Sequence, residues 1–73
     1  MKQYILKCDY FEGYNNPVYL DSVVFGRNHE VVMVNVDEDI QYAQKITEND
    51  VDELTKKIHD DYELDFYPVL IKD

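Results

Sequence analysis

Glycine, serine and cysteine are scarce in this chain, and each scarcity removes a class of chemistry. The only glycines, Gly13 and Gly26, stand far apart, so neither a phosphate-cradling P-loop nor a dinucleotide fingerprint can be assembled. Ser22 is the sole serine and has no Gly-x-Ser-x-Gly elbow around it. Cys8 alone cannot make an internal disulfide framework; it fits a reducing compartment and leaves open a bridge between two chains. Its position inside an expected strand favours a buried thiol over a reactive one, which would need an electropositive setting. His29 and His59 lack any Cys-x-x-Cys or His-x-x-x-His companion, so they read as solvated surface histidines and not as a zinc site. The acidic stretches 37–39 and 50–53 lack the turn glycine of a calcium loop. No catalytic residue, metal ligand or cofactor is expected, and the chain is read as a non-enzyme. Hydrophobic runs long enough to span a bilayer are also missing, as is a signal-peptide core, which points to the cytoplasm.

What the chain does hold is acid. It carries 16 Asp or Glu against 7 Lys or Arg, for a formal net charge of -9. The excess is lopsided: residues 1–36 have 4 acids and 3 bases, whereas residues 37–73 have 12 acids and 4 bases, a net of -1 against -8. Such sidedness suggests a basic partner and opposes both anionic membranes and direct nucleic-acid binding. With 45% hydrophobic residues, 7 Tyr and 3 Phe, the chain can offset its ordering entropy by burial, so it is not a disordered acidic tail. Its length fits one domain, residues 1–73, of modest stability.

Alternation over residues 3–8 predicts a strand with Tyr4, Leu6 and Cys8 on one face and Ile5 and Lys7 on the other. Gly13, Asn15, Asn16 and Pro17 mark a loop before the apolar segment 18–25. Gly26-Arg27-Asn28-His29 then links two β-branched runs as a hairpin. In the second run Val32, Val34 and Val36 fall on one face and Val31 and Met33 on the other; with both faces apolar, this strand is expected to be central. Thr47 is the expected helix N-cap, its hydroxyl accepting from the Asp50 amide, with Ile46 and Val51 as a hydrophobic staple. The helix spans roughly 48–60, with Val51, Leu54 and Ile58 as its apolar stripe and Asp52–Lys56 and Glu53–Lys57 as i,i+4 pairs. Residues 65–72 close the fold as a strand with Tyr67, Val69 and Ile71 on one face, and Pro68 assigns it to a sheet edge or a bulge. The predicted fold is α+β: a mainly antiparallel sheet of three or four strands with one helix packed on it, in the order β-β-β-α-β.

The segments Lys2-Gln3-Tyr4-Ile5-Leu6-Lys7, Asp39-Ile40-Gln41-Tyr42-Ala43-Gln44-Lys45-Ile46-Thr47-Glu48 and Phe66-Tyr67-Pro68-Val69, with the amphipathic helix between the last two, resemble small uncharacterised proteins encoded by phages and prophages of low-GC Gram-positive bacteria. Ala43, Lys45 and Thr47 fit that pattern, while the Val-rich hairpin departs from it. The resemblance implies a mobile-element origin and carries no agreed activity.

Acids in the first helical turn answer the macrodipole and say little about function. Asp60, Asp61, Glu63 and Asp65 follow the helix, where that dipole disfavours negative charge, so they are the first candidates for a partner-binding site. Asp37, Glu38 and Asp39 come second, and Tyr62 and Tyr67 supply aromatic anchors of the kind enriched at interface hot spots. Tyr10, Phe11, Tyr14 and Tyr19 crowd the first loop. The functional reading is an acidic phage protein that binds and inhibits a basic nucleic-acid-binding host or defence protein, such as a nuclease of the CRISPR kind, its carboxylates standing in for phosphates. Two alternatives stay open: charge that only solubilises, and a homodimer or larger homo-oligomer, structural or accessory in role, built by pairing a sheet edge.

Overall fold

The computed structural model describes residues 2–73. In chain order it contains β1 (Gln3–Cys8), β2 (Val18–Phe25), β3 (Val31–Asp37), β4 (Ile46–Thr47), α1 (Glu48–Tyr62) and β5 (Tyr67–Lys72), with a 3₁₀ turn at Ile40–Tyr42 before β4. This is the expected α+β architecture: every strand pairing is antiparallel. The element not foreseen is β4, whose two residues complete the sheet.

β1 is the centre of the sheet. Along one edge it pairs with β5, from Gln3 opposite Lys72 to Lys7 opposite Tyr67. Along the other it meets β4 at Gln3 and Tyr4, then β2 at Lys7 and Cys8. β2 therefore leaves β1 after its first residues, and the chain before the helix fills the gap, fastened by the Gln44 amide donating to the Leu20 carbonyl at 2.8 Å.

The expectation of a central β3 is corrected: the order β3-β2-β1 puts β3 at an edge. Two irregularities explain why its pattern misled. Pairing skips Asp21 in β2 and Val32 in β3, since Val24 faces Met33 and Phe25 faces Val31. A one-residue bulge reverses the side-chain alternation, so Val31 and Val34 are buried together while Val32 and Met33 are about half exposed. β5 is the opposite edge, as Pro68 required, and pairs with β1 alone.

The core between sheet and helix is built from Leu6, Cys8, Val18, Leu20, Val31, Val34, Ile46, Val51, Ile58 and Phe66, with Leu54 packed at its margin. Ile5, on the other face of β1 and directly across from Val69, is also buried. Ile46 and Val51 are both buried, as the staple predicts. Thr47 caps differently from expectation: its hydroxyl donates to the Asp50 carboxylate at 3.1 Å and accepts nothing from the helix backbone. The helix runs two residues beyond Asp60 and stops at Glu63, whose φ of 57° is left-handed and whose amide bonds the His59 carbonyl at 3.0 Å. At the hairpin turn the Gly26 amide donates to the Glu30 carbonyl, the His29 amide returns to Gly26, and His29 takes the left-handed φ of 62°.

Candidate protein-binding surface

Antiparallel register decides which acids share a surface. Cys8 lies opposite Val18, Tyr19 opposite Asp37, and Lys7 opposite Tyr67, so the end of β1, the start of β2, the end of β3 and the start of β5 all meet at one end of the sheet. With strands about 4.8 Å apart, residues 37 and 67 are separated by three strand steps, about 15 Å. The tyrosine-rich loop 9–17 emerges between them. Asp37, Glu38 and Asp39 thus flank one side of that loop, and Glu63 and Asp65 flank the other.

On the helix side, Cys8, Asp9, Tyr10, Glu63, Leu64, Asp65 and Tyr67 line a cleft of about 350 Å³. The Tyr67 hydroxyl donates to Asp9 Oδ1 at 2.8 Å, and this bond, with burial second, raises the phenol above its ordinary pKa. Asp65 Oδ1 sits 2.6 Å from His59 Nδ1, with both side chains largely exposed. Glu63 has no such partner among the described residues and is fixed only through its backbone. Tyr10 stands at the rim, 93% exposed. Cys8 forms the floor: its thiol donates to the Tyr10 carbonyl at 3.3 Å, and burial raises its pKa despite that bond, as expected of a structural thiol.

On the other side, part of the acidity is spent on local structure. Asp37 accepts from the Asp39 amide, and Asp39 in turn accepts from the backbone and side chain of Gln41, starting the 3₁₀ turn. Glu38 accepts from the Asn16 side chain at 2.8 Å, tying this group to the loop. Phe11 and Tyr14 stack edge-on inside the loop, with ring centroids 5.7 Å apart. Both Ile40 and Tyr42, beside the acids, are more than half exposed.

Asp60 and Asp61 lie in the last turn of the helix, just before Glu63, and both are engaged in local pairs. The expected pairs Asp52–Lys56 and Glu53–Lys57 give way to Lys56–Asp60 at 2.8 Å and Lys57–Asp61 at 3.4 Å, each lysine offsetting an acid at the end of the helix where the dipole disfavours negative charge. Asp61 also accepts from the Val31 amide at 2.9 Å, joining α1 to the beginning of β3. That amide, the largest influence, and Lys57 hold the Asp61 carboxyl below its ordinary pKa against an opposing effect of burial. Six residue steps along β3 put Val31 about 20 Å from Asp37, so Asp61 and the 37–39 group do not form a single surface, and Asp61 is a structural clip. Tyr62 is 41% exposed at the end of the helix.

A depressed carboxyl pKa gives stability that is present above the unfolded value and lost as pH falls through the folded one. Asp61→Asn keeps the shape and an acceptor for Val31 but removes the charge. The variant should be less stable than the parent at neutral pH, with the gap closing on acidification below the carboxylate range. Urea midpoints measured at both pH values check this, and an equal gap at both would remove Asp61 from the role of ionic clip.

Asp9 was not foreseen as a site residue: only the pairing of β1 with β5 brings it to Tyr67, and no local pattern encodes that pairing. Among the described residues no group of three or more His, Cys, Asp or Glu is arranged to hold a metal ion, and no helix is long and apolar enough to cross a membrane. No protein-family model, curated protein or solved structure matches this chain, so its functional reading stands on these residues alone.

Proposed function

We propose that this chain is a non-enzymatic acidic module, of mobile-element origin, that binds and inhibits a basic nucleic-acid-binding protein through the end of the sheet around loop 9–17. The observation that carries the reading is the cleft where Asp9, Glu63 and Asp65 converge beside Tyr67 and the protruding Tyr10. Carboxylates accept the bidentate bonds that Arg otherwise gives to phosphate, while a rigid, amphipathic tyrosine supplies the apolar anchor that charge alone lacks. Asp37, Glu38 and Asp39 extend the field across the loop and steer encounter. Duplex DNA carries one charge per about 1.7 Å of its axis, far denser than this surface, so the mimicry is of a few phosphates and not of a long duplex.

The test is capture from bacterial lysate on the immobilised protein and on a variant combining Asp9→Asn, Glu63→Gln and Asp65→Asn. The parent should retain a basic nucleic-acid-binding protein that salt or added duplex DNA releases, and the variant should not. Equal recovery on both, or retention indifferent to DNA, refutes the reading.

A further inference from the structure

We propose that His59 is a pH-sensitive gate on the acidic cleft: its imidazole occupies Asp65, and on protonation it cancels that carboxylate's charge and weakens binding of a basic partner. This inference rests on the cleft being the partner site. His59 Nδ1 sits 2.6 Å from Asp65 Oδ1, a bonding distance to a carboxylate when the nitrogen carries its hydrogen. A neutral ring in the Nδ1–H tautomer and an imidazolium both supply that hydrogen, so the contact exists in either state and only the charge of the pair changes. It is singly negative with the neutral ring and neutral with the imidazolium. The helix end sets the contact up: the Glu63 amide bonds the His59 carbonyl at 3.0 Å, the left-handed Glu63 stops the helix, and Asp65 comes back against the ring. An arginine that approaches Asp65 must displace the ring or share the carboxylate with it. Against a neutral ring that costs an ordinary hydrogen bond; against an imidazolium it costs a charge-assisted one.

Around this cleft His59 is the group whose charge changes near neutrality. Histidine ordinarily titrates between about pH 5 and 8, carboxylates such as those of Asp9, Glu63 and Asp65 belong to a class that titrates near pH 4, and thiols and phenols titrate above the histidine range. Burial raises the Cys8 thiol further and the bond to Asp9 raises the Tyr67 phenol further, so both keep their protons throughout. Asp65 is the only acid within ion-pair reach of the His59 ring among the described residues. On the same helix Lys56, one turn earlier, is bonded to Asp60 at 2.8 Å, and Glu63 stands one turn later. The other histidine, His29, lies in the hairpin turn and lines a different cleft together with Lys45 and Asp50, so it serves as an internal control.

Calorimetric titration with a synthetic hexa-arginine peptide at low salt, near pH 7.5 and near pH 5.5, tests the gate. The parent should bind roughly two- to fivefold more weakly at the lower pH, the range set by one exposed ion pair. His59→Gln should bind alike at both pH values, and more tightly than the parent at the lower one. Asp65→Asn should bind more weakly than the parent at the upper pH and lose the fall, whereas His29→Gln should keep it. Both histidines are exposed, so circular dichroism should show the parental fold in every variant at both pH values. Equal affinity of the parent at the two pH values, or an equal fall in His59→Gln, overturns the gate while peptide binding still supports the cleft. Absence of peptide binding at both pH values also overturns the gate, and capture of a basic protein from lysate then decides about the cleft separately.

Discussion

Ile58→Ala should cost about 2–5 kcal/mol of stability, the range for truncating a large buried aliphatic side chain. α1 has only two buried residues, Val51 and Ile58, and Ile58 is fully enclosed. It packs in the same cluster as Leu6 and Leu20 from the sheet and Val31 and Val34 from β3, so removing three carbons opens a cavity at the helix–sheet junction. Domains of 73 residues have total stabilities of roughly 4–11 kcal/mol at typical per-residue values. The variant therefore loses a large fraction of the whole, and its Tm should fall by roughly 10 °C or more. Leu54→Ala, at the margin of the core, should cost less. Urea and thermal unfolding of both variants check the ranking. If Ile58→Ala lowers stability no more than Leu54→Ala, the helix is not seated on the sheet through this residue.

The same helix shows what the sequence could and could not reveal. Its start was legible because the signals are local: Ile46 and Val51 frame the first turn, and Thr47 precedes it with extended dihedrals. The strand 3–8 and the edge position of β5 were legible for similar reasons, the second from the missing donor of Pro68. β3 was misplaced because a bulge at Val32 shifts its alternation by one residue, and a run of valines reads the same with or without the shift. The acids divide along the same line. That residues 37–39 and 63–65 share one end of the sheet depends on pairings between β2 and β3 and between β1 and β5, over separations that local patterns do not encode. The role of Asp61 depends on a contact with Val31, 30 residues away. The pattern places Asp61 after the helix as a partner-binding candidate, whereas it lies in the last helical turn, held by a backbone amide and a lysine. Net charge thus shows how much acid the chain carries, and topology decides which carboxylates are left free of structural roles.

Glu63→Lys with Asp65→Lys should have the largest effect on partner binding. The two exchanges add four positive charges, moving the net charge from -9 to -5 and reversing the sign of the cleft beside Tyr67 at the point where it is least used for structure. Asp65 is 85% exposed and paired only with the exposed His59. Glu63 serves the fold through its left-handed backbone, a conformation that lysine adopts no less readily than glutamate. Stability should therefore change little, unlike in the Asp61 and Ile58 variants. Exposed charge pairs are individually weak, but reversal replaces attraction by repulsion at two adjacent sites, so affinity for the captured basic protein should fall roughly tenfold to a hundredfold at low salt. Most of the loss should lie in the association rate, where long-range fields act, and it should shrink as salt shortens the screening length. Surface-binding kinetics at two ionic strengths read all three features. A loss confined to dissociation and insensitive to salt would assign the contact to the tyrosines, leaving the carboxylates as a solubilising rim.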